Sequence, residues 1–183
     1  LDAPNEFYYD EATMELRLFY NGTGSAPPTE VEVPALTNLI ELQGSSDNPV
    51  ANVTLRGLTI RDTYPSHLEP HGVPSGGDWA LSRRGAVYLD GTTDVTIEAC
   101  TFTHLDSNAI FLSGYSRRAV VEDNEFCWLG QSAIASWGLL DGETNSGLGG
   151  VQPRGSRIEG NLAREIGHYQ KQSSFYFQAI SAQ

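Results

Sequence analysis

Lysine is almost missing from this sequence: of 11 basic residues only Lys171 is one, and the rest are arginines. Against them stand 23 acidic residues, giving a net charge of −12 at pH 7. A field of that sign repels phosphate backbones and anionic lipid, so neither nucleic acid nor a membrane surface is expected as a partner. A polyanionic ligand is disfavoured too, unless a local arginine cluster reverses the sign. Cysteine is scarce, with Cys100 and Cys127 alone. Two cysteines make no disulfide scaffold, and no CxxC or Cys/His spacing suggests zinc. No apolar run approaches the roughly 20 residues of a membrane helix, so no membrane insertion is expected. The single methionine is Met14, and position 1 carries neither an initiator nor a leader pattern. The sequence therefore reads as starting within a longer chain.

What the sequence has is glycine (19), proline (9) and a repeat, in 183 residues that suffice for one ordinary domain. The segment Val95-Thr96-Ile97-Glu98-Ala99-Cys100-Thr101-Phe102 matches Ala119-Val120-Val121-Glu122-Asp123-Asn124-Glu125-Phe126 at a shift of 24. The same shift sets Leu105 over Leu129 and Asn108-Ala109-Ile110 over Ser132-Ala133-Ile134, and a shift of 23 sets Gly85-Ala86-Val87 over Asn108-Ala109-Ile110. Weaker copies begin at Val53 and Ser156. Apolar and polar residues alternate within each copy over three short stretches, which is strand periodicity. A coil of about 22–24 residues with three strands is the unit of a parallel β-helix, whose core forms only by stacking. The expected inward rows are Ile97/Val121/Ile158, Phe102/Phe126, Ala109/Ile110/Ala133/Ile134 and Leu89/Leu112. Asn124 and Asn161 fall in register and predict a stacked asparagine turn. Cys100 takes that inward position, while Cys127 aligns with outward Thr103, so no mutual disulfide is expected.

Residues 50–183 are thus assigned to coils, with loop inserts at about 62–84 and 139–154 that are rich in Gly, Pro, Ser and Asp. Residues 1–49 do not repeat. They read as an aromatic hairpin turning near 10–13, then short lead-in strands at 31–33 and 39–42. An uncapped last coil would expose apolar rungs and unpaired edges, so further coils or a docked chain are expected beyond Ile180.

The opening Leu1-Asp2-Ala3-Pro4-Asn5-Glu6-Phe7-Tyr8-Tyr9-Asp10 and Asn52-Val53-Thr54-Leu55-Arg56-Gly57-Leu58-Thr59-Ile60 resemble secreted right-handed β-helix repeat proteins. These include polysaccharide-degrading glycoside hydrolases and uncharacterised relatives. Gln152-Pro153-Arg154-Gly155, Glu165-Ile166-Gly167-His168-Tyr169 and Phe177-Gln178-Ala179 look like an uncharacterised branch of that group. The resemblance implies an all-β, right-handed parallel β-helix solenoid in a secreted, extracellular, carbohydrate-active protein. It also implies outer-face carboxylates as the catalytic groups in the hydrolases, although no catalytic pair maps residue by residue.

Glycosidases place two carboxyls roughly 5–5.5 Å or 6.5–9.5 Å apart. Neighbouring coils lie about 4.8 Å apart, so outward acids one or two coils distant meet that geometry. Asp90, Asp106 and Asp123 are the candidates, with Glu122, Glu125, Asp141 and Glu143 as further acids, and spacing selects no pair. Segment 154–178 is the candidate sugar site, through Arg154, His168, Tyr169, Lys171, Gln172 and Gln178, with Trp128 and Trp137 as stacking platforms. His104 shares the repeat position of Trp128 and is a titratable alternative. His67, Glu69, His71 and Asp78 make a loose metal-like set, but Pro65 and Pro70 oppose the helix such spacing needs; no metal and no cofactor are expected. Asn21 and Asn52 head glycosylation sequons. Two readings remain: a secreted glycoside hydrolase using carboxylate acid/base chemistry on a poly- or oligosaccharide, or a non-catalytic structural or adhesive module binding glycan or protein.

Overall fold

The computed structural model describes residues 1–22, 26–71, 81–139 and 151–181, in two compact units, Leu1–Val33 and Pro34–Gln183. In the first, β1 (Phe7–Asp10) pairs antiparallel with β2 (Glu15–Leu18). The Asp10 carboxylate closes the turn by accepting the Ala12 and Thr13 N–H groups at 3.0 and 3.3 Å, and Met14 takes φ 57°. The strand expected at 31–33 does not form. Val31 and Val33 are exposed, and prolines at 27, 28 and 34 withhold the amides a ladder requires.

The second unit is a parallel β-helix with no helix among the described residues, hence none long and apolar enough to cross a membrane. Its first coil holds β3 (Ile40–Gln43), β4 (Val50–Ala51), β5 (Thr54–Arg56) and β6 (Thr59–Arg61). The second holds β7 (Gly85–Thr93), β8 (Thr96–Glu98) and β9 (Thr101–Leu105), and the third β10 (Asn108–Arg117), β11 (Val120–Glu122) and β12 (Glu125–Leu129). The fourth holds β13 (Ile134–Trp137), β14 (Arg157–Glu159) and β15 (Leu162–Arg164), and β16 (Tyr176–Ala179) opens a fifth. Equivalent strands stack into three sheets: β3-β7-β10-β13-β16, β5-β8-β11-β14 and β6-β9-β12-β15. These are called the long-strand, second and third sheets below.

The stacking follows the sequence repeat: Ile97 lies against Val121, Phe102 against Phe126, Leu105 against Leu129 and Val87 against Ile110. The Phe102 and Phe126 rings stack at 4.9 Å inside a fully buried row. Removing either side chain to Ala would cost about 3–5 kcal/mol. The asparagine turn is present as well. Asn124 Nδ2 donates to the Ile97 carbonyl (2.9 Å) and Asn161 Nδ2 to the Val121 carbonyl (2.8 Å), while their Oδ1 atoms accept the N–H groups of Cys100 and Asn124. Cys100 fills the same rung, its thiol directed at the Leu55 carbonyl. Both cysteines are free, and Cys127 is buried against the Thr103 hydroxyl.

Residues in the left-handed region recur in three columns, two at the bends between strands and one at the outer end of the third sheet. Asn52, Asp94, Arg118 and Gly155 make the first, Gly57, Ala99, Asp123 and Gly160 the second, and Asp62, His104, Trp128 and Glu165 the third, all at φ 50–65°. In the first two columns, the residues of the first three coils donate their N–H groups to the coil that follows, as Asp94 does to Arg117 and Ala99 to Glu122. That bond offsets a local cost of about 1–2 kcal/mol per non-glycine residue.

Across β7, β10 and β13 the long-strand sheet is covered on both faces. Its outer face carries Tyr88, Asp90, Phe111, Ser113, Ala135 and Trp137, and Leu81 and Arg83 pack over it. Alternation therefore fails in β10, where Ala109-Ile110-Phe111-Leu112 are all buried.

Candidate functional site

The turns that carry the chain from the third sheet back to the long-strand sheet differ in length. After β9 and β12 they are short (106–107 and 130–133). After β6 and β15 they are long, and the two long turns reach toward each other across the short ones. They meet where His67 stacks on Tyr169, with ring centroids 4.3 Å apart and planes 19° from parallel.

Beneath that contact lies Asp106, only 6% exposed. Its Oδ2 accepts the Ser66 N–H (2.7 Å) and hydroxyl (3.2 Å), and its Oδ1 accepts from His67 Nδ1 at 2.8 Å. Its own N–H donates to Thr63 Oγ1 at 2.8 Å. A carboxylate so placed fixes the Nδ1–H tautomer and leaves Nε2 as a proton acceptor. On the next coil, Gln131 Nε2 donates to His71 Nε2 at 3.0 Å, and Tyr169 packs over Gly130. A Cβ at Gly130 would lie 1.8 Å from the Asp106 carbonyl oxygen and 2.6 Å from Tyr169, so glycine is what lets the two turns close.

Beside the bridge, the third column points outward. The Trp128 ring sits between His104 (6.4 Å) and His168 (5.3 Å), both within 23° of parallel. Trp128 is 45% exposed and Tyr169 58%. With its faces turned to the two imidazoles, Trp128 presents mainly its edge and indole N–H; Tyr169 has one face on His67 and is open elsewhere. Lys171 Nζ donates to the His168 carbonyl at 2.8 Å and pins the end of this turn.

The coil architecture resembles a solved structure of a glycoside hydrolase. The TM-score is 0.74 at 17% identity, over 92% of this chain and 34% of the other. At that identity the likeness is one of fold, and this chain spans about a third of that structure's length. No family model matches the sequence, and no curated protein matches it.

On this hydrolase-like fold the three candidate acids are not brought together. Asp90 lies on the outer face of the long-strand sheet, Asp106 under the bridge and Asp123 in the second column, between the second and third sheets. Asp90 Oδ2 accepts from Ser113 Oγ (3.2 Å), which itself accepts from Tyr88 (2.9 Å) and Arg83 (2.8 Å). Burial lowers the Arg83 pKa, opposed by Tyr88 and Asp90. Trp137 belongs to that closed cluster, with Arg83 4.5 Å over its ring and 5% exposure, and so offers a ligand no platform.

Of the segment 154–178, His168, Tyr169 and Lys171 join Trp128 and Asp106 at the corner. Arg154 is exposed in the first turn, bridged to Arg117, and Gln178 is exposed on β16 with Nε2 donating to the Ser181 carbonyl (3.3 Å). Gln172 is exposed in the long turn. Asn21 and Asn52 are exposed, the latter in the first column. Asp78, Asp141 and Glu143 lie outside the described residues. Among the described residues, no group of three His, Cys, Asp or Glu is placed to hold a metal ion. Thr63, Ser66 and Gln131 were not singled out by sequence; their only signal is position, since each falls in a turn rather than a strand.

Proposed function

We propose that this chain is part of a secreted, carbohydrate-active β-helix protein and that it holds a poly- or oligosaccharide at the corner bridged by His67 and Tyr169. The observation that carries this reading is the open Tyr169 ring, backed by an imidazole on a buried carboxylate and flanked by Trp128 and His168. Sugar recognition draws on such a mixture, an aromatic face for the apolar side of a pyranose and polar edges for its hydroxyls. The fold shared with a glycoside hydrolase supports the same class of ligand.

Hydrolysis is the second reading, and the Asp106–His67 pair favours it because it orients an imidazole with a free proton-acceptor nitrogen beside Tyr169. A non-catalytic adhesive module is the alternative that the separated carboxylates favour. A glycan panel tests both. Binding that falls at least about tenfold in Tyr169→Ala supports the corner. Loss of product formation in His67→Gln with binding retained supports catalysis. Binding untouched by Tyr169→Ala and Trp128→Ala would remove the proposal.

A further inference from the structure

We propose that the ligand of this corner is an anionic sugar chain, bearing uronate carboxylates or sulfate esters, held more tightly as pH falls. The inference rests on the glycan-binding reading above and adds the charge of the glycan. All four histidines of the chain and its only lysine converge here: His67 on Asp106, His71 on Gln131, His104 and His168 on Trp128, and Lys171 on the His168 carbonyl. Taken as a whole, a chain with net charge −12 repels an anion, so an anion site needs a local gathering of cations such as this one.

The other charges at the corner decide the sign. Asp62 pairs with Arg61 and Glu69 with Arg84, Asp106 faces His67, and Glu165 continues the third column beyond Trp128. Arg164, next to Glu165, is paired with Glu125. With neutral imidazoles the four carboxylates Asp62, Glu69, Asp106 and Glu165 outnumber Arg61, Arg84 and Lys171, and the corner is faintly repulsive to an anion. Protonation of the histidines reverses that balance. Histidine is the only side chain that ordinarily changes charge between about pH 5 and 8. The corner has room for the charged form: the buried Gln131 Oε1 has no hydrogen-bond partner among the described residues, and turning the amide over presents it to a protonated His71.

Calorimetric titration with three oligosaccharides tests this: a uronate oligomer, its neutral methyl ester and a sulfated galactan oligomer. The expected result is affinity for one or both acidic oligomers rising about tenfold or more from about pH 7.5 to about pH 5.5, with the ester flat. The double variant His104→Asn/His168→Gln should flatten the rise while keeping the wild-type melting temperature. Lys171→Arg, which keeps the charge and a donor for the His168 carbonyl, should retain acidic-oligomer binding, whereas Lys171→Gln should weaken it at both pH values. The acidic oligomer that gains more identifies the anion. Equal binding of ester and acids at both pH values overturns the inference and leaves the glycan reading standing. Absence of binding by charged and neutral glycans alike, with Tyr169→Ala inert, overturns both.

Discussion

Two clusters on this solenoid are built from similar parts and end differently. On the long-strand sheet, Arg83, Asp90, Ser113 and Tyr88 surround Trp137; at the corner, His67, Asp106 and Tyr169 stand beside Trp128. In the first, the cation lies flat on the indole and donates to the Trp137 and Gly138 carbonyls, so its hydrogen-bonding capacity is turned inward. At the corner Trp128 and Tyr169 stay exposed, while Asp106 and its polar neighbours Thr63, Ser66 and Gln131 are buried. Type of residue does not separate a structural cluster from a binding one. Where the polar capacity points does.

The sharpest way to break the comparison is to truncate the two tryptophans. Trp137→Ala should lose about 3–5 kcal/mol in urea unfolding, whereas Trp128→Ala should lose less than about 1 kcal/mol. Equal losses would mean that the corner is a core. Next in size, Arg83→Ala should cost about 2–3 kcal/mol by leaving the Trp137 and Gly138 carbonyls unpaired, with no effect on glycan binding. Asp106→Asn should be milder, about 1–2 kcal/mol, because a neutral amide still accepts from Ser66. Its diagnostic readout is faster amide hydrogen exchange at Ser66.

The smallest effect lies at the fully exposed limit. Arg118 donates to both oxygens of Asp94 at 2.7 Å, from one rung of the first column to another. That hydrogen bonding holds the Asp94 carboxyl below its usual range, with help from Thr93 and against a small desolvation. A carboxylate whose pKa is depressed in the folded state stabilises fully above its ordinary value, about 3.9, and loses that contribution as pH falls through the lowered one. The melting-temperature gap between wild type and Arg118→Asn should therefore be slight at pH 6 and close in acid. A gap that persists at about pH 2 would assign it to packing.

A stacked solenoid turns an offset in sequence into a contact in space, which is why the rows Ile97/Val121, Phe102/Phe126 and Asn124/Asn161 could be read from the repeat. The bridge could not. His67 belongs to the turn of the first coil and Tyr169 to that of the fourth, and no periodic offset relates turns three coils apart. Segment 154–178 was legible as chemically dense, yet density alone did not distinguish the residues at the corner from Arg154 or Gln178. Trp137 was read as a platform from its place one coil before that segment; Leu81 and Arg83, arriving from an insert, cover it. The left-handed columns were hidden by their own variety, since Arg118, Trp128 and Ala99 give no hint of the backbone that Gly57, Gly155 and Gly160 suggest.

Those columns make the outside of the molecule an addressable rail. A residue at φ 50–65° whose amide is satisfied by the neighbouring coil leaves the interior indifferent to its side chain, as the succession Asn52, Asp94, Arg118 illustrates. Successive positions are spaced by one coil, about 4.8 Å, and only proline and β-branched residues are strongly excluded. Surface specificity can thus be rewritten rung by rung, by evolution or at the bench, without renegotiating the core.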